Sequence, residues 1–211
     1  MDAASRIERS LDRSSDGIDM DVPARVLDSE RKYTGAIFTV DDRRIALTRN
    51  DGSRTVIRRQ VIGHAPCVVM LVHDLATDRY LVEREYRAGS GIFTYGLPAG
   101  LIDPGEDPAA AALRELREET GVVPDGEPWV DPAGDYYSSE GMTDELAHIS
   151  VIHLDGWRQE ATDFDPDEHV ESTWVTWPEL KALPVTASNS IIAIQHEELR
   201  RLRERLGEHS G

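Results

Sequence analysis

Glu115, Glu118 and Glu119 lie within five residues of one another in the segment AAAALRELREET. Spacings of three and four residues are neighbours on a helix surface, so a helix here projects three carboxylates across one turn. Carboxylates so placed repel one another by roughly 1 to 4 kcal/mol per pair at about 4 Å, depending on the local dielectric. The cluster calls for a cation. Hard oxygen donors suit magnesium or manganese, and these ions also bind phosphate oxygens. Taken alone, the run also reads as a solvated acidic helix face moderated by Arg114 and Arg117, so the surrounding spacing has to decide.

From Gly100 to Val123 the sequence is GLIDPGEDPAAAALRELREETGVV. Gly100, Glu106, Arg114, Glu115, Leu116, Glu118, Glu119, Gly121 and Val122 fill every fixed position of the pattern G-x5-E-x7-R-E-U-x-E-E-x-G-U, with U aliphatic. A chance match somewhere in such an acidic chain is on the order of one in a hundred thousand. The stretch resembles the Nudix hydrolase family. That resemblance implies a loop-helix-loop holding divalent metal, Mg2+ or Mn2+, with Glu115, Glu118, Glu119 and the Ala99 carbonyl as ligands. It also implies that Arg114 braces the carboxylates, Glu118 shares in catalysis, and Glu106 orients the loop.

Over about residues 33 to 199 the chain is similar to the ADP-ribose pyrophosphatase branch of that family. The similarity rests on RQVIGHAPCVVML from Arg59, EYR at Glu85 to Arg87, and LPAG at Leu97 to Gly100. It implies a substrate of the ADP-ribose or ADP-sugar class, hydrolysed to AMP and a sugar phosphate. Arg59, Arg87, Gly100 and Gly141 are then the substrate-binding candidates, a guanidinium fork being suited to phosphate oxygens. The segment SEGMTDE, Ser139 to Glu145, aligns Glu145 with a carboxylate that does general-base work, and Glu168 and Glu171 in DPDEHVES stand as alternatives. The chain departs from the branch pattern at Glu140, Gly96, Ala65-Pro66 and Glu85, where proline, glutamate, His-Pro-Gly and glutamine are usual. The resemblance places the base ring near Ile37 or Phe38, and it implies a homodimer in which the N-terminal sheet packs across a two-fold axis. A small sheet between Tyr33 and Val61 cannot bury a core of its own, which points the same way.

These residues need a scaffold. Residues 1 to 27 carry few large apolar side chains and are expected to be a flexible tail. Segments GAIFTV, RRIALTR and SRTVIRRQV, separated by Asp-Asp and Asn-Asp-Gly turn signals, read as a small antiparallel sheet spanning residues 28 to 61. CVVMLVHD and RYLVEREYR read as strands on either side of a turn at residues 76 to 78. Asp107-Pro108 opens a helix that Gly121 closes, with Ala109, Ala112, Leu113 and Leu116 on its apolar side. ELAHISVIHL and STWVTW read as further strands, PELKAL as a short helix, and residues 188 to about 206 as a longer one capped by Ser188 or Asn189. The expected fold is α/β (α+β): a mixed sheet sandwiched between helices over residues 62 to 206, with the small N-terminal antiparallel sheet and a tail at 207 to 211.

The 211 residues suit one core rather than two catalytic domains. At 39% hydrophobic and 30% charged, the chain reads as soluble and globular. A net charge of −17 argues against nucleic acid or an anionic membrane as partner, since both need a basic contact surface. With no long apolar run and no secretory signal pattern, the chain is expected in the cytoplasm. The single cysteine, Cys67, sits in an apolar run and forms no disulfide framework. None of the seven histidines shows zinc-site spacing, and the four tryptophans lie in or beside strands, where packing is the simpler role.

Overall fold

In a computed structural model, residues 7, 17–164 and 169–207 are described. They fall into two compact units, Met1–His64 and Ala65–Gly211. The first is an antiparallel sheet of β1 (Arg25–Thr34), β2 (Phe38–Thr48) and β3 (Arg54–His64), in the order β1-β2-β3. Two expectations change here. The Asp41-Asp42 pair marks no turn: both residues lie within β2, buried, because Arg31 on β1 pairs with Asp41 and Arg58 on β3 pairs with Asp42. Part of the segment expected to be a tail is ordered by backbone pairing, since Ile18 bridges Arg49 and β1 begins at Arg25.

The second unit is built on β4 (Cys67–Asp74), β5 (Arg79–Arg87), β6 (Ile92–Gly96) and β7 (Ala99–Leu101), followed by helix α1 (Pro108–Thr120). Then come β8 (Val122–Pro124), β9 (Trp129–Tyr137), β10 (Leu146–Leu154), β11 (Trp157–Gln159), β12 (Glu171–Thr176), α2 (Trp177–Ala182) and α3 (Ser188–Leu206). The main sheet runs β12-β5-β4-β10-β9, with β6 on β5 and β7 on β4, while β8 and β11 form a separate pair. It is mixed: β10 is parallel to β4 and the remaining pairings are antiparallel. All eight residues of β4 are buried, as expected of a central strand covered on both faces.

Val68, Met70, Val72 and Leu81 meet Ala111, Ala112 and Leu116 of α1 on one face. Val69, Leu71, Val82 and Val151 meet Ala193 and Ile194 of α3 on the other. Each fully buried aliphatic side chain contributes about 1.5–3 kcal/mol, so the sheet fixes where both helices sit. The seated side of α1 differs a little from expectation, with Ala111 buried and Ala109 exposed. Ala187, not Ser188 or Asn189, stands at the N-cap of α3.

Beneath α3 lies a buried polar network. Glu197, fully buried, accepts from the Tyr80 hydroxyl, from Arg200 Nε at 2.6 Å and Nη2 at 2.7 Å, and from Arg201 Nε at 3.2 Å. His73 bonds Asp78 through Nε2 at 2.9 Å and His153 through Nδ1, also at 2.9 Å. Because the Asp78 carboxylate only accepts, His73 donates from Nε2 and accepts at Nδ1, which leaves His153 Nε2 as a buried lone pair without a partner among the described residues. Both imidazoles are therefore neutral, and burial holds each below its ordinary range, His153 down to about 4. An unfolded histidine titrates near 6.5, so between about pH 6.5 and pH 4 the unfolded chain binds the extra protons and stability falls as pH falls. The slope is at most about 1.4 kcal/mol per pH unit for each histidine. In His153→Phe the dependence on pH between 7 and 5, read from urea midpoints, is expected to be shallower by about 1 kcal/mol per unit; parallel profiles for the two proteins would refute the assignment.

Candidate active site

Helix α1 begins where the Asp107 side chain accepts from the N–H groups of Ala109 (3.0 Å) and Ala110 (3.3 Å), with Pro108 in the first turn. Four consecutive alanines then favour the helix. It ends at Gly121, whose φ of 71° is left-handed and whose N–H reaches the Arg117 carbonyl at 2.8 Å. The ends being fixed, so is the direction of each glutamate.

Arg114 organises the outer side of the helix. It donates to Glu106 Oε1 from Nε (2.9 Å) and to Glu106 Oε2 from Nη2 (2.8 Å), to Glu115 Oε1 (2.8 Å) and Glu118 Oε2 (3.0 Å) from Nη1, and to the Leu101 carbonyl from Nη2 (2.9 Å). All five guanidinium donors are thereby used, in a fork geometry lysine cannot reproduce. The Arg114 guanidinium, aided by the Asp103 N–H, holds the Glu106 carboxyl down at about 2. This arrangement ties the loop to the helix and presents two of the three clustered glutamates.

Glu119 is different in kind. It is buried, and its Oε2 accepts from the Ala99 N–H at 3.2 Å. Burial first, then the charge of Glu83, and further the charges of Glu115 and Glu85, drive its carboxyl far above the usual range. Glu83 and Glu85 come from β5, where strict alternation puts them on the Leu81 face, the face that α1 covers. Sequence reasoning passed over Glu83, which is only 2% exposed. Its signal was available in LVEREYR, whose charges at 83 and 85 share the facing of apolar Leu81.

Gly100 has a steric reason. A Cβ there would overlap the Glu115 carboxyl, so glycine is what lets that carboxyl lie against the strand. Arg87, by the same alternation on the face of Glu83 and Glu85, pairs with Glu85 at the rim. Gly141 lies in the open turn between β9 and β10, where a Cβ would meet nothing within 4 Å. At the end of that turn Glu145 has its N–H bonded to Thr143 Oγ1 at 3.1 Å, and its charge helps to push the buried Cys67 thiol up to about 11, after burial itself. Glu171 opens β12 opposite Arg84, on the face of β5 turned away from Glu83, and lines a cleft of about 420 Å³ with Arg84, Phe93 and Phe164. The structure therefore brings Glu115, Glu118, Glu119, Ala99 and Gly100 together, puts Arg87 at the rim, and sets Glu171 apart. Arg59 is on the first unit, at β3, and Glu168 lies outside the described residues.

The donor set suits a hard divalent cation: oxygen ligands only, in excess of the positive charge beside them. Among the described residues no three of these side chains already converge on one point. Glu115 and Glu118 turn to Arg114, and Glu119 turns to Ala99. Burial and the charges of Glu83 and Glu115 keep the Glu119 carboxyl protonated, and a divalent ion is what would let it ionise there.

A profile of the NUDIX domain matches residues 63–193. The chain is 26% identical to the methanol dehydrogenase activator of Bacillus methanolicus over 179 residues, 83% of this chain and 92% of that one. It is 25% identical to the ADP-ribose pyrophosphatase of Bacillus subtilis (strain 168) over 182 residues, 83% of this chain and 93% of that one. The crystal structure of an ADP compounds hydrolase superposes with a TM-score of 0.66 at 22% identity, covering 89% of this chain and 98% of that one, a likeness of fold.

Proposed function

The chain belongs to the Nudix family, and from that premise we propose that it hydrolyses the diphosphate linkage of ADP-ribose or a similar ADP-sugar to AMP and a sugar phosphate. One observation carries the reading: an intact box whose last glutamate, Glu119, is buried against Glu83 and Glu115. The similarity to the Bacillus subtilis ADP-ribose pyrophosphatase supports the substrate class.

Nudix hydrolases generally use divalent metals. Here Mg2+, or Mn2+ in its place, would be held by Glu115, Glu118, Glu119 and the Ala99 carbonyl. When bound, it supplies Lewis acidity and neutralises phosphate charge. The chain's own residues do the rest. Arg114 keeps Glu115 and Glu118 in place, Arg87 and Arg59 grip phosphate oxygens, and the Gly100 and Gly141 backbones leave room beside the substrate. Glu145 takes the proton of the attacking water, with Glu168 as the alternative, whereas Glu171 stands on the other face of β5.

The protein is further read as a cytoplasmic homodimer. No helix among the described residues is long and apolar enough to cross a membrane. The three-stranded sheet exposes Val26, Leu27, Tyr33, Ile37 and Phe38, apolar surface that a second copy would cover. In domain terms we assign residues 28–61 to that interface and residues 62–206 to catalysis.

Purified protein with ADP-ribose and magnesium should release AMP, and its absence while another nucleoside diphosphate derivative is consumed would overturn the substrate assignment. That second substrate class has its own support: Gly96, the strand partner of Glu83, offers no side chain to a substrate where the branch usually has a glutamate. Gly100→Ala tests the geometry. The added methyl displaces the flexible end of Glu115 and spares the backbone, so melting should shift little while kcat/KM falls about tenfold to a hundredfold. Unchanged kcat/KM would show that the position of Glu115 is immaterial.

A further inference from the structure

The three-stranded sheet is the basic part of an acidic chain. Residues 17–64 hold nine Lys or Arg against seven Asp or Glu, a surplus of two positive charges in a protein whose net charge is −17. The register concentrates that surplus on one face. Arg43 on β2 stands directly across from Arg59 on β3. Asp41, two residues along β2 and so on the same face, stands across from Arg31 on β1. This face thus carries three guanidinium groups and one carboxylate.

The carboxylate is already committed. Asp41 is buried and held below its usual range first by its hydrogen bond from Arg31 and only secondarily by Arg43, which lies 3.5 Å away. Arg59 has no ion pair among the described residues; its Nη1 donates to the Arg58 carbonyl at 2.9 Å. Like charges directly opposite on an antiparallel pair destabilise a sheet. On the reverse face Arg44 likewise stands across from Arg58, but there Arg58 is answered by Asp42 at 2.7 Å. The Arg43–Arg59 pair has only Asp41, which lies 3.5 Å from Arg43 and is shared with Arg31, and Arg59 has no acid of its own among the described residues.

We propose that Arg43 and Arg59 form a two-guanidinium site for a diphosphate-bearing anion, with Arg31 and Asp41 holding Arg43 in place. Two forks side by side match the several oxygens of a diphosphate better than a single carboxylate, because each guanidinium presents paired N–H donors to two oxygens. Naming the anion as the substrate's diphosphate rests on the function proposed above. The site itself rests on register and charge, and it makes Arg43 a binding residue in addition to Arg59.

The test is calorimetric titration of the full-length protein with inorganic pyrophosphate, together with steady-state kinetics on ADP-ribose. Arg43→Gln and Arg59→Gln should each weaken pyrophosphate binding about tenfold or more and raise KM by a similar factor, leaving kcat nearly unchanged. The double variant should lose less than the product of the two, since the groups grip one ligand. Arg43→Lys keeps the charge and the Asp41 partner and should recover part of the loss, while Arg44→Gln, on the reverse face, should behave as the wild type. If the wild type cleaves ADP-ribose and Arg43→Gln matches it in KM and in pyrophosphate affinity, the arginine pair is refuted and the enzymatic reading stands. If the wild type leaves ADP-ribose intact, the substrate assignment fails. The pyrophosphate titration then decides alone: selective loss in the Arg43 and Arg59 variants supports the site, and equal binding in all of them removes it.

Discussion

Glu119→Gln should fold and fail to turn over. The amide oxygen of glutamine still accepts from the Ala99 N–H, so the contact between helix and strand at that point survives. What disappears is a carboxyl that burial and Glu83, Glu85 and Glu115 keep protonated until an ion draws off its proton and takes it as a ligand. A metal that activates a phosphoryl group contributes several kcal/mol to the transition state, and about 4 kcal/mol corresponds to about three powers of ten in rate. A loss of about a thousandfold in kcat is therefore expected, with near-wild-type circular dichroism. Ion binding provides a second readout. A ligand at a hundred times its dissociation constant stabilises a protein by about 2.7 kcal/mol, and that magnesium-dependent gain in melting temperature should vanish in the variant. Since this carboxyl is already protonated without an ion, the amide is a near-neutral replacement and the metal-free variant should melt close to the wild type. Turnover within a few-fold of the wild type would remove Glu119 from the proposed ligand set.

The largest effect on stability is expected on the opposite face of the sheet. Glu197→Ala leaves the Tyr80 hydroxyl and the Arg200 and Arg201 guanidinium groups facing a position sealed from water. Burial alone would push the Glu197 carboxyl up, yet the bonds from Arg200 and Tyr80 outweigh it and hold the group ionised. Removing the central acid costs about 3 kcal/mol, the lower end for a broken buried pair, because the Tyr80 hydroxyl and the inner N–H groups of Arg200 and Arg201 lose their acceptor while Glu204 and Asp78 still answer the outer ends of the two arginines. For a protein of this size that corresponds to roughly 10 °C in melting temperature. Glu197→Gln should fall between, keeping an acceptor but losing the charge. Chemical denaturation measures both. A loss under about 1 kcal/mol for the alanine variant would mean that water reaches the network.

How much of this was legible beforehand depended on whether a residue's role was local. The ends of α1 could be read because Asp107, Pro108 and Gly121 act on their immediate neighbours, and the box spacing located Glu115, Glu118 and Glu119. Non-local partners were the difficulty. Asp41-Asp42 looked like a turn because its partners, Arg31 and Arg58, are brought in from other strands. Strand β1 has no apolar alternation, all ten of its residues being exposed, so nothing distinguished its first residues from a tail. Glu83 was passed over although it shares the facing of Leu81, since a sequence does not show which strand face a helix will cover. Glu171 stood as an alternative to Glu145 for the base, and only pairing revealed that it lies across from Arg84, on the face away from Glu83.

The parallel alignment of β10 with β4 bears on how the molecule reaches its native state. Ala147 is the partner of Cys67, so the centre of the sheet joins segments separated by 80 residues. Closing a loop of that length costs about 4 kcal/mol in chain entropy before any contact repays it. Hairpins such as β5-β6 can assemble early, whereas the platform beneath α1 is complete only after the chain has emerged past Leu154. Folding should accordingly be slow for a chain of this length, with its rate limited by the meeting of these two distant strands.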